Sequence, residues 1–204
     1  MFPNILNQNQ TELLGLVQKF KREYYLVGGT AISLIVGHRR SIDFDLFKFT
    51  RINPKKIAQL ISKSGFEYLI TRRTTEQLNV LINGVTFTFF QYPYKIIAKK
   101  DFRNICRMPD LLTLAAMKAY ALGRRSKWKD YVDLYMIIKD HYSINEISDK
   151  ATEIFGEMFS EKMFRTQLSY FEDIDYSEEI EYLIPEITHD TVKNFLIDKA
   201  SDIF

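Results

Sequence analysis

The chain has 204 residues, 46% of them hydrophobic and 26% charged, enough to bury one substantial core or two small ones and too apolar for a disordered tail. Its 28 Lys plus Arg against 26 Asp plus Glu leave a formal charge of +2, which excludes a whole-molecule pull toward nucleic acid or membrane and confines any basic footprint to a local patch. A lone cysteine, Cys106, excludes an internal disulfide. No His or carboxylate cluster surrounds it, so it reads as an idle, buried thiol. Met1 to Gln10 lacks the basic-then-apolar order of a secretory signal. The apolar runs at 111–116 and 131–138 fall well short of the ~20 residues that span a bilayer. Cytoplasmic residence and no membrane partner are expected.

In chain order, Leu13, Leu14, Val17 and Phe20 predict a helix over 11–20, and Tyr24–Val27 predicts a short strand stopped by Gly28-Gly29. Thr30 is read as the cap of an apolar helix, 31–36, which Gly37 closes. Residues 41–49 alternate, predicting a strand with Ile42, Phe44 and Leu46 on one face and Asp43 and Asp45 on the other. Pro54 opens a helix that Gly65 ends. Strand-like runs follow at 66–70, 77–82 and 85–92, the last two joined by Asn83-Gly84, a strong hairpin signal.

From Pro109 onward only helical periods remain, at 110–122, 127–139, 144–155, 160–170 and 191–203, with an acidic loop over 171–181. The predicted fold class is α+β: a mixed β-sheet with flanking helices over residues 1–105, followed by a helical domain over 106–204 that completes a cleft.

The chemistry concentrates in Val27-Gly28-Gly29-Thr30, His38-Arg39-Arg40-Ser41 and Asp43-Phe44-Asp45. Glycines let the backbone approach a phosphate, and the helix start beyond them offers unpaired amides to an anion. Two carboxylates on one strand face suit Mg²⁺, which takes one or two carboxylates plus substrate phosphate oxygens. Arg39 or Arg40 offers paired hydrogen bonds to phosphate. Taken singly, a double glycine is an ordinary turn and Asp-x-Asp an ordinary solvent-facing strand. Their order within about 22 residues is what builds one pocket wall.

These segments, with Gly37-His38-Arg39, Ser41 to Phe47, Lys118 and Lys129-Asp130-Tyr131-Val132-Asp133-Leu134-Tyr135, resemble the AbiEii/AbiGii-type toxin nucleotidyltransferases of the polymerase-β-like superfamily. The likeness runs over most of 26–135. It implies a glycine turn (Gly28, Gly29, Thr30) that contacts phosphates, an Asp43/Asp45 pair that binds Mg²⁺ or Mn²⁺, and an NTP as substrate. It further implies transfer of a nucleotide to a cellular acceptor such as the 3′ end of tRNA, and a toxin's role beside a cognate antitoxin or in phage defence. By position, Lys118 matches the family's nucleotide-contacting lysine and Asp130 its later essential aspartate. An interhelical ion pair accounts for these two residues equally well, and Asp133 reads as structural.

The superfamily's third carboxylate has no counterpart in Val85–Phe89, which offers only Thr86 and Thr88. Either Asp130 supplies that function, or the protein is a catalytically weak nucleotide- or partner-binding relative. Aminoglycoside-type transfer to a small molecule is a third reading, one that calls for an acidic acceptor pocket. His38 and His141 are read as non-catalytic, and the aromatic run from Phe87 to Tyr94 as core. Two basic clusters, 95–107 and 124–129, suit an RNA backbone.

Overall fold

The computed structural model describes residues 1–122 and 124–202. Helix α1 (Gln8–Phe20) begins earlier than its apolar stripe because Asn7 and Gln10 form a reciprocal capping box, satisfying two otherwise orphaned donors. The buried strand β1 (Tyr25–Val27) runs straight into α2 (Gly28–Val36), which Gly37 ends in the left-handed conformation.

Two expectations are corrected here. Helix α2 starts at the glycines themselves, so Thr30 lies inside it and is not its cap. The Thr30 hydroxyl instead donates to the Asp43 carbonyl and sits 3.0 Å from Ser41 Oγ. Strand β2 (Phe44–Lys48) is shorter than the expected 41–49. Ser41, Ile42 and Asp43 form an approach loop held by Thr30 and by Gln10, whose Nε2 donates to the Ser41 carbonyl at 2.8 Å. These side-chain bonds replace ladder bonds, and Ile42 is left exposed.

After α3 (Pro54–Ser62) come β3 (Leu69–Arg73), β4 (Gln77–Ile82) and β5 (Val85–Gln91). The sheet order is β1-β2-β5-β4-β3, with β2 and β5 parallel and every other pair antiparallel. Asn83 and Gly84, at φ 49° and 75°, make the predicted hairpin turn between β4 and β5. Strand β3 sits three residues later than expected. It is an edge strand exposed along its whole length, so pairing with β4 sets its position, not an apolar pattern of its own.

One sheet face buries Phe44, Leu46, Val80, Phe87 and Phe89, with the Phe20 ring of α1 4.8 Å from that of Phe89. The opposite face carries a polar row set by register: Asp45 beside Thr88, Thr88 beside Asn79, and Asn79 beside Arg72. A small hairpin not anticipated from the sequence, β6 (Lys100–Phe102) with β7 (Cys106–Met108), lies in the basic linking stretch. There burial pushes the Cys106 thiol up to about 12, leaving it inert.

The C-terminal part is helical: α4 (Leu111–Leu122), α5 (Trp128–Asp140), α6 (Ile144–Phe155), α7 (Glu161–Leu168) and α8 (His189–Ser201). Ile203, the expected end of the last helix, lies outside the described residues. Among those residues, no helix is long and apolar enough to cross a membrane. Helix α2 packs on α4 and α5, and the buried side chains of sheet and helices form one continuous cluster.

The join between sheet and helices is ionic as well as apolar. Asp133 of α5, fully buried, accepts from Arg39 Nε and Nη2 at 2.8 Å each. It also lies 2.8 Å from His38 Nε2 and from Lys118 Nζ of α4. Lys118 reaches Asp130 Oδ1 at 2.8 Å, and Asp130 accepts from Arg125 Nε at 2.8 Å. The Arg39 and Lys118 cations outweigh the cost of desolvation and hold the Asp133 carboxyl well below the ordinary range.

Removing the Asp133 charge strands the buried Arg39 guanidinium and takes one of two carboxylate partners from Lys118, so Asp133→Ala is expected to cost about 3–5 kcal/mol of folding stability, read by urea unfolding at pH 7. Because the folded-state pKa is depressed, this contribution is complete above the unfolded carboxylate value near ~4 and is lost as pH falls through the folded value. Wild type should therefore lose more stability than the variant between pH 7 and pH 3.

Candidate active site

The site starts from strand register. Val27 lies opposite Asp45, so the chain leaving β1 turns directly against that carboxylate. A Cβ on Gly28 would come 2.1 Å from Asp45 Oδ2, and Gly28 has φ 71°. Neither the backbone conformation nor the space admits a side chain. Gly29 is constrained differently: its Cβ would meet Arg39 Nη2 at 2.7 Å and Ser41 Oγ at 2.9 Å. No side chain caps the start of α2, leaving its first amides beside Asp45 for an anion.

Asp43 is exposed, at the end of the loop that Thr30 and Gln10 hold. Asp45 is half-buried on β2. Desolvation, and then the Asp43 charge, push Asp45 up to about 6, against the opposing pull of Arg125 and Lys118. Among the described residues, no Lys or Arg comes within ion-pairing distance of either carboxylate, although cations fill the pocket wall. Two adjacent acids, one disfavoured in its charged form and neither neutralised by a side chain, fit a divalent cation that supplies the missing charge. Among the described residues no cluster of three or more His, Cys, Asp or Glu side chains is assembled. Asp43 and Asp45 would be the protein's share of such a site, with the remaining positions left to water and phosphate oxygens.

The other expected residues divide. Arg39 lines the cleft, but its guanidinium is committed to Asp133 and to the Arg40 carbonyl, which Nη1 meets at 2.8 Å. It buttresses Gly29 and has no free fork for phosphate. Arg40 turns away, bonding Glu181 at 2.6 Å and the Asn4 carbonyl at 3.1 Å. Thr30 faces the loop and positions Asp43. Lys118 and Asp130 both line the cleft, yet they are paired with each other, and Arg125 takes the second Asp130 oxygen. As arranged, Asp130 presents no free third acid. His38 belongs to the buried network, and His141 borders a separate cavity near the end of α5.

The cleft encloses about 650 Å³. On the sheet side it is floored by Asp45, Thr88, Asn79 and Gln77, and by the rings of Phe47, Phe90 and Tyr92. The expectation that the β5 aromatics are core holds for Phe87 and Phe89 and fails for Phe90, because alternation along the strand turns Phe90 to the other face. The helical side supplies Tyr120, Arg124, Arg125, Lys127 and Lys129. Sequence reasoning missed Glu178, an acid from the 171–181 loop that reaches the cleft and accepts from Lys129 Nζ at 2.8 Å. The complementary charges of 124–129 and 171–181 were its only trace in the sequence.

No family model matches the chain. Its backbone resembles that of an H. pylori protein assigned as a nucleotidyltransferase, with TM-score 0.58 and 15% identity, covering 95% of this chain and 93% of that one. It also resembles the nucleotidyltransferase toxin MenT4 of Mycobacterium tuberculosis H37Rv, with TM-score 0.61 and 13% identity over 94% and 80% of the two chains. The Megavirus polyadenylate synthase is similar over 69% of this chain and 33% of its own, with TM-score 0.50 and 12% identity. These likenesses establish a nucleotidyltransferase fold. In sequence, the uncharacterized protein aq_aa25 of Aquifex aeolicus (strain VF5) is 31% identical over 160 residues, 74% of this chain and 75% of that protein. The chain therefore belongs to the family of the Aquifex aeolicus protein aq_aa25 and carries its sequence on a nucleotidyltransferase fold.

Proposed function

We propose that the protein is a metal-dependent nucleotidyltransferase that moves a nucleotidyl group from an NTP to a cellular acceptor. The observation that carries this reading is the contact of the Gly28 backbone with Asp45, which sets a phosphate-binding turn against a pair of cation-seeking carboxylates. In this reading residues 1–105 form the catalytic half, and the helical half, 106–204, closes the cleft.

Asp43 and Asp45 would hold Mg²⁺ or Mn²⁺, which when bound supplies charge neutralisation for the phosphates under attack. The α2 amides and the glycine turn bind phosphate oxygens and orient the triphosphate. Thr30 fixes Asp43 relative to Asp45 by holding the approach loop. Arg125, next to Asp130 and electrostatically linked to Asp45, places positive charge beside the leaving pyrophosphate. Lys118 keeps Asp130 ionised and so positions Arg125. The basic wall favours an RNA acceptor such as a tRNA 3′ end over a cationic small molecule, and the likeness to a nucleotidyltransferase toxin supports an AbiEii/AbiGii-type toxin role with a cognate antitoxin.

Incubation with each labelled NTP, Mg²⁺ and total RNA tests the reading. Label transfer by wild type should fall at least ~100-fold in Asp43→Ala and in Asp45→Ala, since loss of even an outer partner of a metal ligand costs 10–100-fold. Equal transfer by wild type and both variants overturns it. Gly28→Ala should be equally inactive while still folding cooperatively, because the clash falls on the site. Thr30→Val should raise the Mg²⁺ concentration needed for half-maximal transfer without changing the thermal midpoint by more than a few degrees.

One observation favours a second reading. Both Asp130 oxygens are taken by cations, so a second metal position lacks an acid, as expected of a weakly catalytic nucleotide binder. Calorimetry that shows metal-dependent NTP binding with no pyrophosphate release supports this alternative, and measurable turnover excludes it.

A further inference from the structure

The segment from Phe171 to Leu183 has no helix or strand of its own, yet it is tied down at both ends. At one end, Asp175 exchanges backbone bonds with the turn before α5: its N–H donates to the Ser126 carbonyl at 2.8 Å, and its carbonyl accepts from the Trp128 N–H at 3.1 Å. The Tyr176 ring lies 5.3 Å from that of Trp128. At the other end, the Arg40 N–H donates to the Glu181 carbonyl at 2.9 Å and the Leu183 N–H to the His38 carbonyl at 2.9 Å. The strap is thus strung between the helical half and the loop that leads to Asp43.

Midway along it, Glu178 lines the same cleft as Gly28, Gly29, Asp43 and Asp45. Its carboxylate accepts from both Lys127 and Lys129, and these two bonds hold the carboxyl at about 2, fully ionised. Arg125 lines the same cleft and feels the charges of both Asp45 and Glu178. The cleft wall therefore carries positive charge on Arg125 and on two lysines, and the two lysines are occupied by the protein's own anion. Of the cations in that wall, Lys118 is locked to Asp130 by a buried bond, and Arg125, itself exposed, forks onto the buried Asp130 carboxylate. The lysine–Glu178 bonds join side chains that are partly exposed on both sides, so a ligand can compete for them.

We propose that Glu178 stands in for a phosphate group: Lys127 and Lys129 form a subsite for the far end of a polyphosphate chain, and the ligand binds by displacing the Glu178 carboxylate from it. This rests on the site being one for a nucleoside triphosphate. It adds that the free protein holds its tail subsite closed with an internal anion. In this proposal the near phosphate of the chain lies at the glycine turn and the far one at the lysines of the same cleft, so the ligand is a polyphosphate and not a single phosphate. The arrangement lowers affinity for free anions and makes a phosphate chain long enough to reach both ends the preferred occupant.

The test measures binding of inorganic tripolyphosphate, without metal and at fixed ionic strength, to the full chain and to Glu178→Gln, Glu179→Gln, Lys127→Ala and the double variants that join each of the last two to Glu178→Gln. The expected result for Glu178→Gln is roughly five- to tenfold tighter tripolyphosphate binding, the release of about 1 kcal/mol of competing ion pairing. Lys127→Ala should erase that gain, and Glu179→Gln, which removes the same charge one residue away, should leave affinity within twofold of wild type. Equal tightening by Glu179→Gln, or none by Glu178→Gln, overturns the proposal. So does a gain seen with inorganic phosphate as strongly as with tripolyphosphate, or one confined to a single-stranded RNA oligonucleotide, which would make the lysines a backbone contact for RNA. Tripolyphosphate binding needs no catalysis, so a gain without label transfer from any NTP leaves this subsite standing while the transferase reading fails. Transfer without the gain does the reverse.

Discussion

A fully buried carboxylate with three basic partners, Asp133 on α5, sets the relation between the sheet and the helices. Arg39 leaves the end of α2 and inserts its guanidinium into the helical layer, where both faces of its fork are met by Asp133. The geometry of that pair fixes where the chain re-emerges at Ser41, and hence where Asp43 and Asp45 begin. Desolvating two such charges is expensive, and the pair is tolerated because Lys118, His38 and the Arg40 carbonyl complete it. Gly29 belongs to the same constraint, since any side chain there would strike Arg39. A residue that looks like phosphate chemistry in the sequence is therefore an architectural requirement of the glycine turn.

The same network polarises the cleft. Asp130 is neutralised by Lys118 and Arg125, leaving the helical wall positive beyond it. On the opposite wall the Asp43/Asp45 pair is short of positive partners, and its inner member is pushed toward neutrality. A cation between two such acids favours the ionised form of both. The two walls then complement a ligand that brings both a divalent cation and several negative charges, which is the charge pattern of a metal-chelated triphosphate.

Much of this was legible in the sequence, and the failures share a cause. Helices α4, α5 and α6 were placed within a residue of their ends because they are long, periodic and well bounded. The β4–β5 hairpin was readable because Asn83-Gly84 fits few other conformations. Asp45 does lie against Gly28, and Asp43 lines the same cleft, although only Asp45 lies in a strand. What escaped depended on partners far along the chain. Whether Arg39 bonds a phosphate or Asp133 is settled by a residue 94 positions away. Thr30 reads as a cap because its local context matches one, whereas its hydroxyl bonds across a loop to the Asp43 carbonyl. Glu178 left no local signature at all, because an acid in an irregular segment looks alike whether it faces solvent or a lysine pair.

The register across the sheet bears on why a threonine and not a third acid stands beside Asp45. Thr88 is the direct neighbour of Asp45 on the parallel strand β5. An acid at that position would add a third negative charge to a pair whose inner member already ionises with difficulty, in a cleft where Asp130 has no oxygen to spare. A neutral threonine adds no such charge, and the row continues through Asn79 to Arg72 with neutral and then positive groups. On the proposed function, the sheet floor beyond Asp45 would suit an acceptor that carries its own negative charge, and holding the cation would fall to two carboxylates and to the ligand they receive.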